Sequence, residues 1–381
     1  MEVYIGNRVP IKSWCGWPEE GALQQARNMA DLPFAYKHIA LMPDTHQGFG
    51  VCIGGVVAAE NVVLPSAVGV DIGCGMCAAK TTLQETPTPE RIEEWLGNFR
   101  AIIPVGFDRH EEPQNIDMPI GEDEDLPIVK TQLENSKHQI GTLGGGNHFL
   151  EIQQDSEGFI WVMVHSGSRN LGHKVATHYT KEAEYLNKRW HSSVPPEHQL
   201  SFLPIGDPTT AQYIREMNYC VRFAALNRMI MIGRALSSMQ THETFLLDVA
   251  HNYARMENHF GKNVWVHRKG ATSAKKDELG IIPGSQGTHS YIVKGKGCAD
   301  SFTSCSHGAG RKMGRKEAQR ILDLETEKQR LDSLGIIHGI RNVSDLDEAA
   351  GAYKDIHTVM EEQTDLVEIV TELTPLGVLK G

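Results

Sequence analysis

The feature that most limits this chain is a set of eight short turns that carry His, Asp, Cys or Asn, seven of them containing glycine. They fall at residues 43–55, 67–76, 141–151, 165–172, 251–253, 267–271, 284–290 and 304–311. Loops at the ends of rigid elements are where chemistry is usually mounted. Eight of them in one chain point to a single composite site drawn from most of the sequence. The chain has 381 residues, 40% of them hydrophobic, which is ample for a core. That length suits one large domain or two interlocked ones. The acidic stretch 111–127 reads as an exposed loop. It is the only candidate linker, and motifs fall on both sides of it, so residues 1–381 are read as one domain.

Short runs rich in Val and Ile at 39–42, 51–60 and 159–164 predict buried strands. Residues 211–240 predict a long helix that is apolar on most faces. Residues 315–334 predict a solvated amphipathic helix, and 344–363 a helix with an acidic first turn after Ser344. The longest apolar contender for a membrane span, 221–236, is interrupted by Arg222, Asn227, Arg228 and Arg234. No signal-like start precedes it, so a cytoplasmic protein without membrane contact is expected. The seven cysteines have no framework spacing and are read as reduced thiols.

The net charge is −11, which argues against indiscriminate polyanion binding. The charge is segregated, however. Residues 262–316 hold 11 Lys or Arg against 3 acids, whereas 110–129 hold 7 acids and no Lys or Arg. A basic face for phosphates is therefore compatible with an acidic chain.

In Val68-Gly-Val-Asp-Ile-Gly-Cys-Gly-Met76, Asp71 and Cys74 stand three apart in a pliable turn. A carboxylate and a thiolate there can converge on one cation, and a thiolate can bridge two. A buried structural cysteine beside a turn aspartate gives the same spacing. Gly144-Gly-Gly-Asn-His-Phe-Leu-Glu151 brings Asn147, His148 and Glu151 beside backbone N–H groups that suit an anion. His165 and His251 sit at strand ends, where a satisfied core histidine is the common alternative. Five ligand-type residues, Asp71, Cys74, His148, His165 and His251, suit one or two divalent ions. Softness alone favours zinc, cobalt or iron over manganese. Ser304-Cys-Ser-His-Gly-Ala-Gly-Arg311 puts His307 in a turn of small residues that ends in a basic helix start. That histidine is open to a role as acid, ligand or nucleophile, or to a merely capping turn. Neither G-x-x-x-x-G-K-[ST] nor H-E-x-x-H occurs.

Taken in order, these motifs closely resemble the RtcB family of RNA-splicing ligases. The resemblance rests on Met42-Pro-Asp-Thr-His46 with Gly48 and Gly50, Ala67-Val-Gly-Val-Asp-Ile-Gly-Cys-Gly-Met76, Gly141-Thr-Leu-Gly-Gly-Gly-Asn-His148, and His165-Ser-Gly-Ser-Arg169. It continues through His251-Asn-Tyr-Ala254, His267-Arg-Lys-Gly-Ala-Thr272, Ile281-Ile-Pro-Gly-Ser285, His307-Gly-Ala-Gly-Arg311 and the tail Leu373-Thr-Pro-Leu-Gly-Val-Leu-Lys-Gly381. It implies the fold of that family, a mixed α/β unit with central sheets flanked by helices and the site in a cleft. The implied activity joins RNA 3′-phosphate or 2′,3′-cyclic phosphate ends to 5′-hydroxyl ends, with GTP and two manganese ions, in RNA repair or tRNA splicing. Zinc or cobalt are alternative occupants.

Carried over, Cys74 bridges two metals, with Asp71 and His148 at one and His165 and His251 at the other. His307 is the nucleophile that carries GMP, and Asp44 orients it. The GTP pocket takes in Asn147, His148, Phe149, Leu150, Glu151, His251, Asn252, Pro283, Gly284, Ser285, Gln286, Ser290, His307, Gly308, Ala309, Gly310 and Lys380. RNA contacts fall to Arg169, Arg268, Lys269, Arg311 and Lys312. Gln286, Ser273 and Gly314 stand where Met, Arg and Ser are common in the family. Two other classes share parts of this pattern: a metal-dependent phosphoesterase acting on RNA ends, and a non-catalytic protein that binds them.

Overall fold

The computed structural model describes residues 1–115 and 125–381, so part of the acidic stretch 111–127 lies outside the described residues. Two sheets dominate, a six-stranded one that is mixed through the parallel pair Ile11–Ser13 and Ala35–His46, and a seven-stranded one that is antiparallel throughout. The first has six strands, in the order Glu2–Tyr4, Ile11–Ser13, Ala35–His46, Ile53–Ala59, Lys262–Lys269 and Asn252–His259. The second has seven, in the order Glu243–Ala250, Gly75–Thr81, Ile160–Ser166, Phe149–Asp155, Val367–Lys380, Ser290–Gly295 and Leu279–Ile282. This is the expected mixed α/β architecture of central sheets flanked by helices. The three strands anticipated at 39–42, 51–60 and 159–164 are all present, and their central residues are almost wholly buried.

The two sheets share an edge through one continuous piece of chain. Strand Glu243–Ala250 closes one sheet and Asn252–His259 closes the other, with His251 at the step between them. Within the seven-stranded sheet, register sets a row of strand ends side by side. Met76 pairs with His165, His165 with Phe149, and Phe149 with Lys380. Residues distant in sequence thus come together at the ends of adjacent strands.

The long helix spans Pro208–Ser238, with Pro208 in its first turn and the Asp207 side chain accepting from Thr209 N–H at 2.8 Å. It packs across strands Ile160–Ser166 and Gly75–Thr81. The polar residues that interrupt its apolar run are buried and pin loops. Asn227 Oδ1 accepts from the N–H groups of Gly141 (2.6 Å) and Thr142 (3.2 Å), and its Nδ2 donates to the Thr142 carbonyl at 3.1 Å. Arg228 is fully buried. It holds Asp248 through two contacts of 2.6 and 2.8 Å and donates to the carbonyls of Gly73 (2.8 Å) and Ser166 (2.9 Å). One turn of helix therefore fixes three motif-bearing loops. No helix among the described residues is long and apolar enough to cross a membrane.

Two helix expectations are corrected. Residues 315–334 form two helices, Arg315–Ile321 and Leu324–Ser333. The second starts afresh because Asp323 caps it, accepting from Thr326 N–H at 2.9 Å. Residues 344–363 are mostly not α-helix. A 3₁₀ turn Val343–Glu348 is capped by Asn342, a second covers Ala350–Ala352, and only Ile356–Glu361 is α-helical. Glu348 points inward and is 3% exposed. The segment folds around that carboxylate instead of presenting a solvated helical face.

Candidate active site

A cleft of about 470 Å³ opens where the strand ends of the two sheets meet. At one end stand Asp71, Cys74, His148, His165 and His251. Cys74, His148, His165 and His251 are 3–5% exposed. The Nε2 atoms of His148 and His165 lie 3.5 and 3.3 Å from Cys74 Sγ. Asp71 Oδ2 is 3.1 Å from His148 Nε2, and His251 Nε2 is 3.4 Å from His165 Nε2. All five residues expected to hold metal are thus brought together.

The rings are aimed by the backbone. His148 Nδ1–H donates to the Leu143 carbonyl at 2.9 Å and His165 Nδ1–H to the Asn147 carbonyl at 3.0 Å. That leaves Nε2 of each turned to the cluster, the usual second partner of a metal-bound imidazole. Burial, then the neighbouring imidazole of His148, pulls His165 well below the usual histidine range. Burial, then His307 and His165, does the same to His251. Burial and the adjacent Asp71 carboxylate push the Cys74 thiol well up. Lone pairs of nitrogen, oxygen and sulfur that converge in a buried space repel one another. A divalent cation resolves that repulsion and reverses the penalty on the thiolate. The donor set therefore fits metal. Close approach is built in at Gly167, where a Cβ would fall 2.1 Å from Asp71 Oδ1.

His307 adjoins this cluster, with its ring centroid 4.8 Å from that of His251. Asp44, fully buried on strand Ala35–His46, takes three donors on one oxygen. These are His307 Nδ1–H at 2.6 Å and the backbone N–H groups of His307 (3.1 Å) and Gly308 (3.3 Å). A carboxylate can only accept, so Nδ1 carries the hydrogen, and in the neutral ring Nε2 holds the free lone pair. Gly310, at φ +72°, has no room for a side chain, since its Cβ would sit 2.2 Å from the Asp44 carbonyl.

The opposite end of the cleft is polar and charged. Asn147, Phe149, Glu151, Asn252, Pro283, Gly284, Ser285, Gln286, Gly308, Ala309, Gly310 and Lys380 line the cleft between the two ends and around this one. Glu151 Oε1 accepts from Gln153 Nε2, which also reaches Ser290 Oγ at 3.0 Å. Burial pushes the Glu151 carboxyl up to about 7 and pulls Lys380 down. Ser290 stands one shell back, and its Oγ accepts from Gly284 N–H at 3.1 Å.

Several sequence expectations do not survive in place. Leu150 does not line the cleft and is fully buried in the sheet core. Arg268, expected to contact RNA, is also fully buried and held by Glu257 at 2.6 and 3.1 Å, so its charge is spent inside the protein. Arg169 lies behind the cleft, donating to Thr142 Oγ1 at 3.1 Å and to the Gly106 carbonyl. Lys312 is exposed but outside the lining. Lys269 and Arg311 do line the cleft. Burial pulls Lys269 down to about 8, and its Nζ donates to the Phe49 carbonyl at 2.6 Å. The basic excess of 262–316 is thus partly consumed by internal pairs. Lining residues that the sequence did not single out are His46, Gln47, Arg315 and Tyr353 among others. His46 had a signal, lying in Met42-Pro-Asp-Thr-His46. Arg315 was noted only as part of a basic helix start.

The family described as tRNA-splicing ligase RtcB matches this chain over residues 25–122 and 118–381. The RNA-splicing ligase RtcB of Escherichia coli K12 is 36% identical over 410 residues, covering 100% of this chain and 99% of that protein. The tRNA-splicing ligases RtcB of Thermococcus kodakarensis and Pyrobaculum aerophilum are 32% and 31% identical, covering 95% and 94% of this chain and 92% and 91% of theirs.

Proposed function

This chain belongs to the RtcB family and is an RNA ligase, and on that premise we propose that it seals RNA ends through a histidine–GMP intermediate. The substrates are an RNA end bearing a 3′-phosphate, or a 2′,3′-cyclic phosphate once opened, and a second end with a 5′-hydroxyl. GTP is the co-substrate and RNA repair or tRNA splicing the setting. Residues 1–381 act as one ligase domain, and all seven cysteines are free thiols, which suits the cytoplasm.

The observation that carries this reading is the Asp44–His307 pair. An imidazole whose Nδ1 is fixed by a buried carboxylate presents Nε2 as a nucleophile. Nε2 attacks the α-phosphorus of GTP, the bond to the β-phosphate oxygen breaks, and pyrophosphate leaves. The P–N bond then breaks as GMP passes to the RNA 3′-phosphate, restoring the histidine. The 5′-hydroxyl attacks that activated phosphate, loses its proton and expels GMP. Asp71, Cys74, His148, His165 and His251 would hold two manganese ions. When bound, such cations draw negative charge from phosphate oxygens. Glu151 and Lys380 supply an acceptor and a donor for the guanine edge.

The test is incubation with α-labelled GTP and manganese followed by denaturing electrophoresis. Label should stay on the protein through alkali and leave in acid, because protonating the nitrogen makes it a good leaving group. His307→Ala should keep its metal and lose both label and joining. A phosphoesterase would cleave RNA ends in that variant and never label, and a binding protein would do neither. Cleavage without label in the wild type would replace the ligase reading with the hydrolase.

A further inference from the structure

Glu348 belongs to none of the motifs and to no expected site, yet it holds together the side of the cleft away from the metal ligands. It is 3% exposed. Its Oε1 accepts from Arg315 Nε at 2.7 Å, and its Oε2 from Arg311 at 2.8 Å and from the Tyr353 hydroxyl. Its backbone carbonyl accepts from Gln286 Nε2 at 2.9 Å. All four partners line the cleft. Arg311 is tied a second time, donating to the Asp347 carbonyl at 2.6 Å. Arg315 lies at the mouth, with half its side chain exposed, and across from it a Cβ on Gly146 would fall 2.8 Å from its guanidinium.

Two guanidiniums and a phenol on one buried carboxylate form a fixed array. Without the carboxylate, Arg311, Arg315 and the neighbouring Lys380 would repel one another and adopt many rotamers. Planar guanidiniums recognise phosphate only when their donors are pre-set. Of the expected metal ligands, His251 has its ring centroid 4.8 Å from that of His307. Both arginines line the cleft, Arg315 half exposed and Arg311 mostly buried, so the pair leads from the surface inward.

We propose that Glu348 is a positioning residue for RNA: its side chain sets Arg311 and Arg315 to hold a phosphate of the RNA end, while its main chain separately fixes Gln286 beside the base pocket. This rests on the ligase reading of His307. It makes a divided prediction. Changing the Glu348 side chain should disturb the RNA step and spare both GMP transfer to His307 and the preference for guanine, because Gln286 hangs on a carbonyl that every substitution keeps.

The experiment uses full-length protein loaded with manganese: wild type, Glu348→Gln, Arg315→Ala and the double variant. For Glu348→Gln, GMP labelling and the GTP-over-ATP preference should stay within about threefold of wild type. KM for RNA in joining should rise about tenfold, the loss expected for disordering a charge-assisted contact. Arg315→Ala should raise it similarly. The double variant should be little worse than the worse single one, since both act through the same contact. Effects that multiply in the double variant overturn the inference, as does parallel loss of labelling, base preference and joining. Glu348→Asp guards against misfolding of the Gln form: it keeps the charge but shortens the reach, and KM should fall between the two. A Glu348→Asp KM equal to wild type would also overturn it. A wild type that never labels defeats the ligase reading and this inference with it. A wild type that labels, with Glu348→Gln matching it throughout, defeats the inference alone.

Discussion

At the donor end of the cleft each side chain leaves a strand end or a glycine turn, and backbone carbonyls aim the rings of His148 and His165. At the opposite end, the base end if it holds guanine as proposed, the side chains aim one another: Gln153 holds Glu151, and Glu348 holds Arg311, Arg315 and Tyr353. The first arrangement is set by local chain geometry and register. The second is set by contacts between residues far apart in sequence. A change at the donor end should therefore act as a switch, and a change at the base end as a graded loss.

The largest expected effect lies at the donor end. Cys74 Sγ lies within 3.5 Å of the Nε2 atoms of both His148 and His165. Cys74→Ala should abolish binding of both metals and all joining. Cys52→Ala, a substitution in the hydrophobic core at a residue with no part in the cluster, should leave metal stoichiometry unchanged. Elemental analysis of the two purified variants decides this. Metal retained at full stoichiometry in Cys74→Ala would remove the bridging role.

That contrast also explains what was legible in the sequence. Asp71, Cys74, His148, His165 and His307 stood in motifs containing glycine, because close approach of chain to chain demands glycine there, as at Gly167 and Gly310. His251 stood at a strand end, and the pairing of Asp44 with His307 was legible only through the family resemblance. Strands 39–42, 51–60 and 159–164 were legible because buried strands are continuous apolar runs. Glu348 and Arg315 were not. Nothing near them in sequence differs from a solvated helix, and their meaning comes from each other, 33 residues apart. The charge excess of 262–316 misled for the same reason: a sum over a segment does not say which charges are already paired. The same holds for Asn227 and Arg228, read only as breaks in an apolar run, whose loop partners lie 60 or more residues away.

Arg268 tests the reading of that basic segment. Its pair with Glu257 is buried on both sides, so removing one partner strands the other charge. Arg268→Ala should destabilise the fold by about 3–5 kcal/mol, measured by denaturant unfolding. The fraction still folded should bind RNA normally. Unchanged stability with weakened RNA binding would return Arg268 to the substrate path.

The base end should show a pH dependence of its own. Burial pushes the Glu151 carboxyl up to about 7. Below that pH it holds a proton and no longer offers a carboxylate to the guanine N–H groups. Above it the acceptor is present. KM for GTP should thus fall as pH rises through 7, and Glu151→Gln should flatten that limb while raising KM. A limb that persists unchanged in Glu151→Gln would assign the titration to another group.

The smallest effect is expected at Lys312. It follows Arg311 in the chain, and its backbone N–H donates to the Ala352 carbonyl at 2.9 Å, but its side chain is exposed and outside the cleft. A solvent-exposed lysine contributes to RNA binding only through long-range attraction. Removing such a charge changes the salt dependence by at most about one counterion. Lys312→Ala should therefore weaken RNA binding several-fold at low salt and hardly at all at physiological salt, where screening acts over about 8 Å. Arg311→Ala should weaken it at both, because Arg311 is fixed in the cleft by Glu348 and Asp347. Titrating labelled RNA across a salt series separates the two. If both variants converged on wild type at physiological salt, the array around Glu348 would be a source of attraction only, with no fixed phosphate contact.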